Sequence, residues 1–125
     1  MSKNGVPIQI SEPVARVLRL LTHESNLELA ISKVLKELVQ FKLKRALTVI
    51  NGCEEKYGMS FSQFEQARLD EKIADFLSNE VQQDGKDWDA AEADKKFLLK
   101  AKNDLEIAYP ESPKTMGFSM SGETL

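Results

Sequence analysis

From Leu27 onward the chain carries apolar residues at spacings of three and four, with no turn signal before Asn51-Gly52. Leu27, Ile31, Val34, Leu35, Leu38 and Phe41 open the run, and Leu43, Ala46, Leu47 and Ile50 extend it. That period belongs to a helix. To Ile50 the helix is about 38 Å long, at roughly 1.5 Å per residue. A rod of this length cannot bury its own stripe, so it needs other helices or a second copy against it. Asn51-Gly52 either ends the helix or only weakens it. Gly58, after Glu54-Glu55-Lys56-Tyr57, is the better stop, because glycine accepts the left-handed conformation just past a helix.

The rest of the chain is punctuated for helices as well. Ser11-Glu12-Pro13 starts one, with Val14, Val17, Leu18 and Leu21 as its stripe and Arg16 and Arg19 beside it. Thr22-His23-Glu24-Ser25-Asn26 breaks that pattern. Ser25 and Glu28 have the spacing of a capping box, which puts the start of the long helix near Asn26. Ser60 and Gln63 form a second box, with Met59 and Phe64 placed to staple it. A third helix is expected through Leu69, Ile73, Phe76, Leu77 and Val81, stopped by Asp84-Gly85. Asp87 would cap a fourth, carrying Trp88, Ala91, Phe97, Leu98, Ala101, Leu105 and Tyr109. No internal repeat is visible.

One segment departs from the helical period. Val6, Ile8 and Ile10 alternate with Pro7, Gln9 and Ser11, the pattern of a short strand with one buried face. A strand this short needs a partner, and no second strand follows. The segment either pairs with its equivalent in a second copy or lies as an extended arm on a helix; the residues leave both open. The expected fold class is all-α, with about four helices and one short N-terminal strand pairing across a dimer as the single β element.

Charge divides the chain in two. Residues 1–50 hold 8 Lys/Arg against 4 Asp/Glu, and residues 51–125 hold 9 against 16, within a net charge of −3. Two surfaces for two different partners follow from such a split. With 42% apolar and 30% charged residues, the composition is that of a globular protein. We expect a basic strand-helix-helix dimerisation region over residues 1–52 and an acidic helical region over 53–109. A disordered tail, rich in Ser, Gly, Thr and Pro, is expected over 110–125. The single cysteine, Cys53, allows no internal disulfide, no apolar run is long enough to span a bilayer, and the N-terminus lacks the apolar core of a signal peptide. A soluble, cytoplasmic protein is expected.

Catalytic and metal chemistry find little support. One His and one Cys, His23 and Cys53, cannot build a zinc tetrad. The stretch Asp84 to Asp89 resembles a calcium loop, but aligning Gly85 with the loop glycine puts Ala91 where a bidentate Glu is required. Cys53 has no histidine near it in sequence, and His23 sits in a polar turn without an evident partner. No glycine loop that could cradle phosphate is present. We expect no enzyme activity, no cofactor and no metal. The basic half offers more. Lys33, Lys36, Lys42, Lys44 and Arg45 on the long helix, with Arg16 and Arg19 on the first, suit either a DNA backbone or a solvated face.

The order strand, capped helix, turn, capped helix in the first fifty residues resembles the ribbon–helix–helix fold. In that family, paired N-terminal strands enter the DNA major groove. The resemblance implies that Gln9 reads bases with Lys3 and Asn4 nearby, and that Ser25 and Asn26 sit where backbone N–H groups clamp a phosphate. Two departures stand out: Pro7 interrupts the ribbon, and no Arg or Lys flanks Gln9 at the outward positions. Further on, the run from Glu54 to Glu65 (EEKYGMSFSQFE) is similar to a segment of small prokaryotic antitoxin-like proteins, and Asp87 to Glu92 to the acidic tryptophan helix that follows it there. That resemblance implies a dimeric protein that neutralises a basic protein toxin through its C-terminal helices.

Taken together, these readings lead to an antitoxin-like homodimer with operator DNA and a basic protein as partners and no membrane role. Val6, Ile8, Ile10, Ile31, Val34, Leu38 and Phe41 would form the dimer interface. Phe61, Phe64, Phe76, Trp88 and Phe97 would anchor the protein partner, since aromatics dominate interface hot spots; the same aromatics could instead form the protein's own core. The alternative is a helical homo-oligomeric scaffold or assembly protein with no DNA role.

Overall fold

A computed structural model describes residues 5–110. Four helices follow in order: α1 (Glu12–Thr22), α2 (Leu27–Tyr57), α3 (Phe61–Leu69) and α4 (Asn79–Ala108). The all-α expectation holds, and no strand occurs among the described residues. Residues 5–10 carry no regular secondary structure. The expected tail lies, from Glu111 onward, outside the described residues, as do Lys3 and Asn4. The chain divides into two compact units, with the boundary between Glu37 and Leu38 inside α2.

In the first unit, α1 begins where Ser11 takes an extended cap conformation and Pro13 fills the first turn, although the Ser11 hydroxyl makes no capping hydrogen bond. His23 ends α1 in the left-handed region (φ 56°), its N–H donating to the Arg19 carbonyl at 2.8 Å. The start of α2 is capped by Asn26 rather than by Ser25. The Asn26 Oδ1 accepts the Leu29 N–H at 3.0 Å, which satisfies one of the free donors of the first turn. Two contacts tie the α1–α2 turn: the Arg19 Nε donates to the Ser25 carbonyl at 3.3 Å, and Lys33 pairs with Glu24 at 3.3 Å. The buried positions of this unit are small, namely Ala15, Ala30 and Ser32.

The second unit holds the main core. Asn51-Gly52 does not end α2, which continues to Tyr57. Gly58 (φ 67°) then turns the chain, its N–H donating to the Glu54 carbonyl at 2.7 Å. The capping box expected at Ser60 and Gln63 is present in both directions. Ala46, Ile50 and Cys53 from α2, Phe64 from α3, Ile73 from the connection, and Val81, Trp88 and Ala91 from α4 form one buried cluster. Tyr57, Met59, Phe61, Ala67 and Phe76 pack on its edge. The ring centroids of Tyr57 and Phe64 lie 4.9 Å apart, those of Phe64 and Trp88 5.0 Å, and those of Phe61 and Trp88 5.5 Å, all tilted. Tilted pairs of this kind add about 0.5–1.5 kcal/mol each beyond the apolar area they bury.

The third and fourth helices differ from expectation. The expected stop at Asp84-Gly85 and the expected cap at Asp87 do not occur. Instead α3 ends at Leu69 in a left-handed closure. Glu71 takes φ 56°, and the Lys72 N–H reaches back to the Ala67 carbonyl at 2.8 Å. Asp75 also takes a positive φ, and Ser78 then caps α4 by accepting the Val81 N–H at 3.2 Å. Gly85 lies inside α4 and is buried. A Cβ there would stand 3.3 Å from the Phe64 ring, so the glycine serves close packing between α3 and α4 and does not terminate a helix.

Candidate binding interface

The residues expected at a dimer interface sit mostly near the surface. Val6 is 77% and Ile8 68% exposed, while Ile10 is half-buried. With Pro7 they line a shallow pocket whose other wall is Leu27, Glu28 and Ile31 of α2. Ile31 and Val34 are half-buried, whereas Leu38 and Phe41 are exposed, with the Arg45 guanidinium 5.7 Å above the Phe41 ring. The larger signal was not foreseen as an interface. Val14, Val17, Leu20 and Leu21 of α1 all expose half or more of their surface, and Leu18 is half-buried, so most of the apolar stripe of α1 is left uncovered. Apolar rows of this kind mark association surfaces.

Of the expected DNA contacts, Gln9, Ser25 and Asn26 are exposed. The start of α2 is a helix N-terminus, where free N–H groups favour an anion. Here, however, the Asn26 side chain already takes the Leu29 N–H, and the Glu28 carboxylate stands in the same turn.

The expected aromatic anchors divide. Phe64 and Trp88 are completely buried at the centre of the second unit's core and are not surface anchors. Phe61 and Phe76 pack along the edge of that core and keep part of their surface. Only Phe97 stands out, at 69% exposure. Among the described residues the Trp88 indole Nε1–H has no hydrogen-bond partner.

A polar network that sequence spacing did not suggest joins the end of α2 to the start of α4. Lys56 donates to both Glu80 and Asp84, the second bond measuring 2.6 Å, and the Tyr57 hydroxyl donates to Asp84 at 2.6 Å. Burial, then the hydrogen bond to Asp84, pushes the Tyr57 hydroxyl up to about 12. The hydrogen bonds to Asp84 and Glu80 raise Lys56. Burial works to raise Asp84, but the hydrogen bonds from Lys56 and Tyr57 outweigh it and leave that carboxyl lowered. Burial, followed by the Asp84 charge, raises the Cys53 thiol. The shifts of Lys56, Tyr57 and Asp84 favour the forms that make the clamp's hydrogen bonds. A nucleophilic lysine or thiolate, or a tyrosinate base, would need the opposite direction. The only sequence hint was the acid spacing of Glu80 and Asp84, four apart on one helix face.

Charge is also graded along α4. Six carboxylates and one lysine occupy residues 79–94, whereas Lys95, Lys96, Lys100 and Lys102 outnumber Asp104 and Glu106 in residues 95–108. Glu80 in the first turn suits the positive end of the helix dipole, whereas the last turn holds Glu106 and no basic residue. Among the described residues no cluster of His, Cys, Asp and Glu is arranged to hold a metal ion, and no helix is long and apolar enough to cross a membrane. Comparison with protein-family models, with curated proteins and with solved structures gave no match for this chain.

Proposed function

We propose that this chain is a non-catalytic, antitoxin-like binding protein of the prokaryotic cytoplasm. Its basic N-terminal part dimerises, with operator DNA as the ligand of the paired arms. Its acidic helices, from Ser60 to Tyr109, hold a basic protein partner. The observation that carries this reading is the uncovered apolar row of α1 and the arm, from Val6 to Leu21, in the basic half of a chain whose other half is acidic. Burying that row against its equivalent in a second copy removes it from water and brings two arms side by side. The carboxylates of α4 supply the opposite charge for a basic partner, and exposed Phe97 supplies an apolar contact.

Co-expression with the product of an adjacent gene tests the partner. Retention of a small basic protein through purification is the expected result, and its absence would remove the antitoxin reading. Binding to DNA from upstream of the chain's own gene should weaken steeply as salt rises, and Gln9→Ala should relax sequence preference. Unchanged preference would remove the ribbon assignment. A second reading, a homo-oligomeric scaffold with no DNA role, is favoured by the start of α2. A phosphate there would face the Glu28 carboxylate, and one donor is already taken by Asn26.

A further inference from the structure

The second unit carries a groove between α2 and α4 that lies apart from the polar network and is floored in part by core residues. Its floor is made by Ala46, Ala91 and Leu98, all buried, and Val49 and Phe97 stand along it. The two walls carry opposite charge: Lys42 and Arg45 on α2, and Asp87 and Asp94 on α4. Arg45 lies over Phe41 and Asp87 accepts the Gln83 Nε2 at 2.9 Å, but none of the four charged groups makes an ion pair among the described residues.

We infer that this groove is a self-complementary docking face for a second copy of the chain, distinct from the association surface of α1 and the arm. The argument rests on the order of the charges. A purely basic partner entering the groove meets Lys42 and Arg45, and a purely acidic one meets Asp87 and Asp94. A second copy, related by a half-turn about an axis that lies in the interface and runs along the groove, presents its α4 wall to the first copy's α2 wall and its α2 wall to the first copy's α4 wall. Each lysine and arginine then faces a carboxylate, as a two-fold contact between identical surfaces requires. The alanine floor lets another helix approach closely. Phe97 of each copy covers the floor of the other and leaves water in the same step. The inference goes beyond the proposed function and does not depend on the N-terminal dimer; Asp87, Asp94 and Phe97 also belong to the surface proposed for the basic partner, so a second copy and that partner compete for this face.

Charge exchange tests it. One variant carries Lys42→Glu with Arg45→Glu, which makes both walls acidic. The other carries Asp87→Lys with Asp94→Lys, which makes both walls basic. Sedimentation at micromolar concentration should give each variant half the wild-type mass or less, and an equimolar mixture should regain the wild-type mass. Circular dichroism monitors folding. Should either double variant lose helix, Arg45→Glu and Asp94→Lys replace the pairs. If both surfaces associate, the wild type is a tetramer or a larger assembly and the variants are dimers. If the groove alone associates, the wild type is a dimer and the variants are monomers, so failure of the N-terminal dimer reads out separately. Wild-type mass in both variants, or a mixture that remains as separate species, overturns the inference. Wild-type mass in both variants together with lost retention of a co-purifying protein would assign the groove to that protein instead.

Discussion

Gly52 and Gly85 both lie inside long helices, and their surroundings give them opposite roles. A Cβ at Gly52 meets nothing within 4 Å, so Gly52→Ala should stabilise the chain by about 1 kcal/mol through helix propensity alone. Gly85→Ala gains the same propensity but pushes a methyl against the Phe64 ring, which is completely buried and has little room to yield. Overpacking of that kind costs about 1–3 kcal/mol, so the expected net effect is destabilising. Phe64→Ala, which empties the centre of the aromatic cluster, should cost about 3–5 kcal/mol. Urea denaturation of the three variants beside the wild type checks all of these. A stabilised Gly85→Ala would mean that Phe64 is not held against α4. Gly85 also marks the limit of local reading. Its neighbour Asp84 makes the pair look like a helix stop, and only the approach of Phe64, twenty-one positions away in the chain, explains why a glycine belongs there.

At the scale of elements, the helices whose signals are local were legible. Gly58 stopped α2, and the Ser60–Gln63 box started α3 as expected. The junction between α3 and α4 was not legible, because it is turned by Glu71 and Asp75 at positive φ, where sequence reasoning looks for glycine. Ser78, followed by the acidic Glu80, was the overlooked start signal of α4. The network of Lys56, Tyr57 and Asp84 was equally hidden, since its partners lie on different helices. It has a signature in pH. Tyr57 holds its proton up to about 12 in the folded chain against an ordinary 10.0, so stability present below pH 10 is lost as the pH rises toward 12. Asp84 lies below its ordinary 3.8 when folded, so the stability it contributes above that value is lost on acidification through the folded value. Tyr57→Phe should cost about 1 kcal/mol at neutral pH and flatten the alkaline limb. Denaturation midpoints across pH check this, and an alkaline limb identical to the wild type would remove Tyr57 from the clamp.

At the scale of the molecule, the two units solve the burial problem differently. The second packs Trp88 and Phe64 out of water, whereas the first buries only alanines and a serine and leaves the large residues of α1 and the arm at its surface. Of the binding residues read from sequence, Val6, Ile8, Leu38, Phe41 and Phe97 lie where a partner can reach them, while Phe64 and Trp88 are consumed by the core. Periodicity identifies which residues are apolar on a helix, but not whether the cover comes from the same chain or from another. Val17→Asp with Leu21→Asp places two charges on the α1 stripe without touching the core of the second unit. The expected result is loss of N-terminal association with helix content retained, measured by sedimentation and circular dichroism, whereas unchanged association would remove α1 from the interface. The most direct measurement of the central claim is the mass of the full chain in solution at micromolar concentration, by light scattering on the eluting peak. An association of two or more 14.1 kDa chains is the predicted result. A folded, monodisperse species of one chain's mass would contradict it.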